Sequence, residues 1–426
     1  MIKDTSTSAP RISIVRPAVN QANTTPGAIQ STKAVEENRM ALHTHKSTNG
    51  NLSLDVEPIV SLDALHSLAP EWKKLFDESG ADTPFATFEW TDCWWKHLRQ
   101  ERGAVCDTLQ IQAIRDQSGH LVAVAPLIQT DRPRTGPLRV RLLQFVGADP
   151  NVTELRGILS KPEYERDAYA ALLRNLETTK WDWIQWSGLK GDGSASPVRQ
   201  KLSVASEDIS TSLLALPPTW EDFRAGLKRN IRESLRKCYN SLKRDNITFE
   251  FRIASSPSET AEAVDRFLVL HKARAKDEET SVNHLDVFAS PAACRFLKDV
   301  CCRLAETGVT RIFQLVIDDK VVASRIGFQF QNSLYLYYSG YDPAWGKYSV
   351  MTTTVAEAIK YAIEQGLQTV NLSTGLDVAK TRWGPSHVTY GQGVQIAANR
   401  RSRLAYAAYQ RIFGVRSCKI LRTLTR

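Results

Sequence analysis

No run in the chain approaches the ~20 consecutive apolar residues that a membrane-spanning helix needs. The opening Met1-Ile-Lys-Asp-Thr-Ser6 carries no apolar core of the signal-peptide kind, so a cytoplasmic location is expected. The seven cysteines, Cys93, Cys106, Cys238, Cys294, Cys301, Cys302 and Cys418, are odd in number and form no C-x-x-C pair. That speaks against a disulfide framework and against a thiolate metal site. Cys294 and Cys301 recur at helical spacing with Phe296, Leu297 and Leu304 and read as packing thiols. A serine-hydrolase elbow, a Walker loop, a zincin motif and paired metal-ligand spacing are all missing, so no metal dependence is expected.

Acidic residues are missing from residues 400–426, which hold eight basic side chains; residues 1–50 hold six basic against three acidic. Of the formal charge of +9 the two ends supply +3 and +8, which leaves the body near −2. The basic balance belongs to the ends and does not mark the whole protein as a nucleic-acid binder.

What is present is an ordinary globular composition, 42% apolar and 24% charged, in 426 residues. A chain this long divides by expectation into two domains of roughly 150–200 residues. Residues 1–50 are rich in Ser, Thr, Asn, Pro and Ala without periodicity and read as a disordered leader. The expected division is a first lobe over 51–215, a second over 216–399 and a basic amphipathic tail over 400–426. That tail suits either an anionic membrane surface or acidic partner, or a helix packed on its own domain.

Within the first lobe, residues 61–79 read as one or two helical turns followed by a helix with Trp72, Leu75 and Phe76 inward. Residues 84–98 are the most aromatic stretch, and Trp90, Trp94 and His97 recur at helical spacing; a core or domain seam and a substrate platform are both open. Strands are expected at 109–114, 121–128, 139–145 and 156–159, then a helix over 164–178 and the alternating strand Trp181–Trp186. Antiparallel strands followed by a helix and another strand describe an α+β lobe.

In the second lobe, 220–243 reads as one long helix. Leu227, Ile231, Leu235, Cys238 and Leu242 line one face, with Arg229, Arg232, Arg236 and Lys243 beside them. That basic stripe is either a solvated face or a set of guanidiniums for a phosphate-rich ligand. A strand at 249–253, helices at 258–276 and 289–307 and a hairpin over 311–329 follow. Ser333–Gly340 reads as a strand closed by its glycine, a Pro- and Gly-containing turn leads into a helix from about Tyr348 to Gln365, and Thr369–Ser373 returns as a strand. Strand, turn, helix and strand in succession can bring an anion onto a helix N-terminus, where unpaired N–H groups and the helix dipole favour it.

Four segments carry a resemblance: Leu270-His-Lys-Ala-Arg274, Ile317-Asp-Asp-Lys-Val-Val-Ala-Ser324, Tyr337-Tyr-Ser-Gly-Tyr-Asp-Pro343 and Leu376-Asp-Val-Ala-Lys-Thr-Arg-Trp383. With Pro84–Trp90, Trp94-Trp95, Gly119–Leu127 and Trp181-Asp-Trp-Ile184, they make residues 52–395 resemble the CelD-like family. Its members are linked to cellulose and exopolysaccharide production, lie within the GNAT superfamily of acyl-CoA N-acyltransferases and stand near the FemAB peptidyltransferases. The resemblance implies an α+β fold of two tandem GNAT-like lobes, each a mixed, mainly antiparallel sheet flanked by helices.

It also implies a cytoplasmic acyltransferase, at most peripheral at the inner membrane, that uses acetyl-CoA or another acyl-CoA on an amine or hydroxyl of a sugar or envelope precursor. The CoA-binding turn then spans Trp345 to Val350, with Lys347, Tyr348, Ser349 and Val350 as contacts. Here the chain reads Tyr348-Ser349-Val350 where the family has Ser-Pro-Gly, and losing the glycine narrows the backbone approach. Acyl transfer needs a base for the amine, donors for the oxyanion and an acid for the thiolate. The candidates are Tyr338 or Tyr341 as acid, Asp342 or His271 as base or orienter, and Arg274, Lys380, Arg382 and Arg232 for the substrate. FemAB-like transfer from aminoacyl-tRNA, with the 229–243 helix on the RNA, and a non-catalytic scaffold lobe in exopolysaccharide assembly stand as the alternatives.

Overall fold

The computed structural model describes residues 53–149, 151–276 and 284–411. The expected leader over 1–50, Cys418 and the tail beyond 411 lie outside the described residues.

Helix α1 (Leu62–Ser79) starts at Ser61, whose hydroxyl accepts from the Ala64 N–H at 3.2 Å, and ends at Gly80 with φ 69°. Pro70 sits inside it without dividing it, so the expected break is absent, and Leu65, Leu68, Trp72 and Leu75 form its buried face. Helix α2 (Phe88–Leu98) is capped by Thr87. The first half continues with strands β1 (Asp55–Ile59), β2 (Glu101–Arg102), β3 (Val105–Leu109), β4 (Ile111–Arg115), β5 (Leu121–Ala125), β6 (Leu127–Arg132), β7 (Val140–Phe145) and β8 (Leu159–Ser160). Helix α3 (Glu165–Glu177), strand β9 (Trp183–Leu189), the short α4 (Ser196–Arg199) and strand β10 (Val204–Ala215) complete it.

The expected single helix over 220–243 is two, α5 (Trp220–Gly226) and α6 (Arg229–Arg244), because Leu227 takes an extended backbone at ψ 147°. Strand β11 (Glu250–Ala254) precedes α7 (Pro257–Ala275), which opens with a reciprocal Ser256–Glu259 capping box and Pro257 at its first position. Then come α8 (Pro291–Glu306), β12 (Thr310–Ile317), β13 (Lys320–Phe330), β14 (Ser333–Tyr341), a 3₁₀ turn (Pro343–Tyr348) and α9 (Val350–Glu364). Strand β15 (Thr369–Thr374), the short α10 (Val378–Thr381), β16 (Ser386–Ile396) and α11 (Arg400–Tyr409) end the described chain.

The strands form a four-stranded sheet, β1-β4-β5-β8, and a twelve-stranded sheet, β11-β12-β13-β14-β15-β10-β16-β9-β7-β6-β3-β2. In the large sheet only β7–β9 and β14–β15 are parallel, one such pair in each half. Strand β10, the last of the first half, lies against β15, strand β16, the last described in the second half, lies against β9, and the two pair with each other. Each half therefore lends its last strand to the other.

The main core ignores the division as well. Trp72, Trp90 and Trp94 of the first half are buried with Phe267, Phe296, Tyr335 and Tyr337 of the second. The Trp90 ring meets Phe296 edge-on at 5.0 Å and Tyr337 at 5.9 Å. Trp90 and Trp94 thus form a seam, not a platform. The described start of the tail also packs inward: Tyr406 and Tyr409 of α11 lie on Trp183 at 5.3 and 5.2 Å, and Ser402 donates to Asp182 at 2.6 Å.

Candidate active site

Strands β14 and β15 pair only over Ser333–Tyr335 against Thr369–Asn371 and then part. Two features drive the separation. Between Arg325 and Gly327 on β13 the opposite residues on β14 are Ser339 and Leu336, so β14 carries one extra residue, a β-bulge that turns Tyr337 and Tyr338 towards the same neighbours. On the other side Ser373 takes φ 77°, which bends the end of β15.

The fork so opened is bridged from the first half. Glu154 accepts from the Tyr335 hydroxyl on β14 at 2.5 Å and from the Ser373 hydroxyl on β15 at 2.7 Å. The segment that carries it is fastened to β14 by two further tyrosines: Tyr337 donates to the Val152 carbonyl and Tyr338 to the Asn151 carbonyl at 2.6 Å. Asp149 holds the same segment from within, accepting from Val152 N–H, Thr153 N–H and Trp94 Nε1 at 2.6, 3.0 and 2.8 Å. Burial pushes both carboxyls above their ordinary range, against the hydrogen bonds that favour the charged form.

Cations rim the fork. Arg325 on β13 donates Nη2 to the carbonyl of Leu336, the first residue beyond the β14–β15 pairing, at 3.0 Å. Arg274 of α7 donates Nη1 to the Ser339 hydroxyl at 2.7 Å and lies 6.0 Å below the Tyr341 ring. Lys380 reaches back to the Thr374 carbonyl and pairs with Asp377 at 2.9 Å. His271, one turn before Arg274, has Nδ1 3.0 Å from the Ser339 carbonyl. A carbonyl only accepts, so Nδ1 carries the proton and Nε2 keeps its lone pair, with Asp286 3.9 Å away. Burial lowers the His271 pKa and keeps the ring neutral. Gly340 permits this approach of α7: a Cβ there would stand 2.4 Å from the His271 backbone nitrogen.

Sequence reasoning thus named five residues that the fold gathers at the fork: Tyr338, Tyr341, His271, Arg274 and Lys380. Asp342 follows directly, but its carboxylate accepts from Ala344 N–H at 3.0 Å as the cap of the 3₁₀ turn. Lys347, Tyr348, Ser349 and Val350 lie at the far end of that turn. Lys347 sits over the Tyr348 ring, Tyr348 donates to Asp245 at 2.9 Å, and Val350 is buried. Ser349 caps α9 in the left-handed conformation, φ 54°, and Val350, which stands where the resemblance would put the glycine, opens the helix; the start of α9 has no side-chain cap and no acid in its first turn. Arg382 donates to Ser234 of α6 at 3.0 Å. Arg232 stands apart from the fork, exposed in a cleft of about 770 Å³ with Arg224, Arg229, Arg236 and Lys360.

Glu154 and Arg325 escaped sequence reasoning. Arg325 directly follows the Ile317–Ser324 segment that was singled out, but strand alternation gave it no distinction. Glu154 is one acid in a loop of the other half, and nothing local announces its partners.

Residues 229–381 match the family model described as an acetyltransferase (GNAT) domain. This stretch is thus a GNAT-type acyltransferase domain. Among solved structures the chain is similar to FemX, at 12% identity over 80% of this chain and 97% of that one, with a TM-score of 0.54. It is also similar to L-PGS from Bacillus licheniformis, at 11% identity over 78% and 92% with a TM-score of 0.46. A third is a tandem GNAT protein from the clavulanic acid biosynthesis pathway, at 9% identity over 82% and 100% with a TM-score of 0.42. At 12% identity the likeness to FemX is one of fold. No curated protein matches the chain. No described helix is long and apolar enough to cross a membrane.

Proposed function

We propose that the protein transfers an acyl group from acetyl-CoA or another acyl-CoA to an amine, or a hydroxyl, of a sugar or envelope precursor of the exopolysaccharide kind. The observation that carries this reading is the fork between β14 and β15, which opens beside a bulged strand and ahead of a helix whose N-terminus no side chain caps. A parted pair of parallel strands exposes backbone donors and acceptors to an extended ligand, and an uncapped helix start suits its phosphates. The residues of the 345–350 turn would hold those phosphates. In this reading two lobes, 51–215 and 216–399, share the work, because the second holds the donor turn and the first supplies Glu154.

At the fork His271 has an unprotonated Nε2 that can take the proton of the attacking amine. Tyr338 is a poor acid for the leaving thiolate, because its hydroxyl is spent on Asn151 and burial pushes its pKa far up, and this reading gives the role to Tyr341, whose ring lies beside Arg274. Asp342, engaged in its turn, orients that segment. Arg274 and Lys380 face the fork as substrate contacts, with Arg382, bonded to Ser234 of α6, and Arg232 of α6 further away. A second reading, transfer from aminoacyl-tRNA, draws support from the basic cleft along α6, whose guanidiniums suit a polyanion.

The test is calorimetric titration with acetyl-CoA and a longer acyl-CoA, on the wild type, Lys380→Ala and Tyr338→Phe. Micromolar binding that Lys380→Ala weakens about tenfold is expected, equivalent to the loss of about 1.4 kcal/mol. No binding to any acyl-CoA would reject the reading and turn attention to charged tRNA.

A further inference from the structure

The fork holds two neighbouring guanidiniums, Arg274 and Arg325. Arg274 and Arg325 converge on Ser339, the first through its hydrogen bond and the second as the residue directly opposite in the β13–β14 ladder. Among the described residues no carboxylate lies within 4.0 Å of either, and the Nε–H of each is buried with no hydrogen-bond partner. The two acids nearby are already committed, Glu154 to Tyr335 and Ser373, and Asp377 to Lys380. Burial pulls the Arg325 pKa down to about 10, and the neighbouring Arg274 adds to that fall. Arginine stays charged even so.

Structural arginines in such a place are ordinarily paired, since a buried cation without a partner is costly and an unmet N–H adds to the cost. Two of them side by side also repel each other. Arg274 spends Nη1 on Ser339 and Nη2 on His284, and Arg325 spends Nη2 on Leu336, which leaves one buried Nε–H unmet on each planar guanidinium, and such a pair of donors matches an oxyanion. We propose that Arg274 and Arg325, with the Ser339 hydroxyl, bind a carboxylate or phosphate group of the acceptor substrate. The assignment of that group to the acceptor rests on the acyltransferase reading, in which the donor's phosphates lie at the 345–350 turn. The anion site itself rests only on the two arginines. The acceptor is then an acidic molecule, with its anionic group close to the amine or hydroxyl that is acylated.

The experiment is thermal unfolding of the full chain in sodium chloride, acetate or phosphate at matched ionic strength, for the wild type, Arg325→Met, Arg274→Met and Ser339→Ala. The expected result is a rise of about 2 °C in the wild type at an oxyanion concentration about ten times its Kd. Phosphate exceeding acetate assigns a phosphorylated acceptor, and the reverse a carboxylate. Both Met variants should lose the rise while melting in chloride no lower than the wild type, because each removes one of two neighbouring buried cations that repel each other. A wild type indifferent to both oxyanions overturns the proposal, as does a rise that persists in both Met variants. If a Met variant does not fold, the arginine is structural and the proposal fails unless Ser339→Ala folds and loses the response. Acetyl-CoA titration of the same proteins separates the two ideas. An intact oxyanion response without acyl-CoA binding removes the transferase reading and leaves the anion site, and the opposite pattern does the reverse.

Discussion

At the scale of single residues the candidate site is a set of polar groups whose states follow from burial and partner. His271 is the clearest case: its Nδ1–H is fixed by the Ser339 carbonyl, its ring packs on Phe267 at 5.5 Å, and burial keeps it neutral. An unfolded histidine takes its proton near pH 6.5, whereas this one resists until a lower pH. Below about pH 6.5 the unfolded state therefore binds more protons, and the contribution of His271 to stability, full above that value, is lost as the pH falls. Urea midpoints of the wild type and His271→Gln, compared at about pH 7.5 and about pH 5, should show the wild type losing more on acidification. Equal losses would mean that the ring is not held neutral. The tyrosines illustrate a different limit on what residues alone can tell. Tyr335, Tyr337 and Tyr338 stand in one short segment of sequence, yet their hydroxyls serve Glu154, Val152 and Asn151, more than 180 positions away.

At the scale of elements, caps and turn residues made most helices legible. Ser290-Pro291 opens α8 and Gly366 follows the end of α9, while the β12–β13 turn expected at Asp319-Lys320 is made one residue earlier by Asp318-Asp319, both at positive φ. The break at Leu227 and the strands β10 and β16 were not legible. Leu227 keeps the apolar spacing of a helix, and the two strands are partly exposed segments defined by the neighbours they acquire. Gly340 reads in sequence as the end of a strand, and in the structure it is the contact point between β14 and α7. Gly340→Ala should destabilise the protein by about 1–3 kcal/mol in urea denaturation, since α7 would have to move off the strand. A change within about 0.5 kcal/mol would restore the reading of Gly340 as a simple terminator.

At the scale of the whole molecule the reciprocal placement of β10 and β16, and a core drawn from both halves, make independent unfolding of either half costly. Phe296→Ala, which removes the ring against Trp90, should lower stability by about 3–5 kcal/mol while tryptophan fluorescence and circular dichroism still report one coincident urea transition. Two transitions, with only one displaced, would show that the halves unfold separately. The same interlock explains why the site draws residues from both ends of the chain, since the fork in the second half receives its acid from the first.

Periodicity, caps and turn chemistry act over a few residues, so the amino-acid order alone settled the α+β character, most elements and the segments from Leu270 to Arg274 and from Tyr337 to Tyr341 that meet at the candidate site. Tertiary structure alone decided the strand exchange, the bulge that turns Tyr338 beside Tyr337, and the meeting of Glu154 with Tyr335 and Ser373. Those depend on ladder register and on burial between distant segments, and neither is a property of any local stretch.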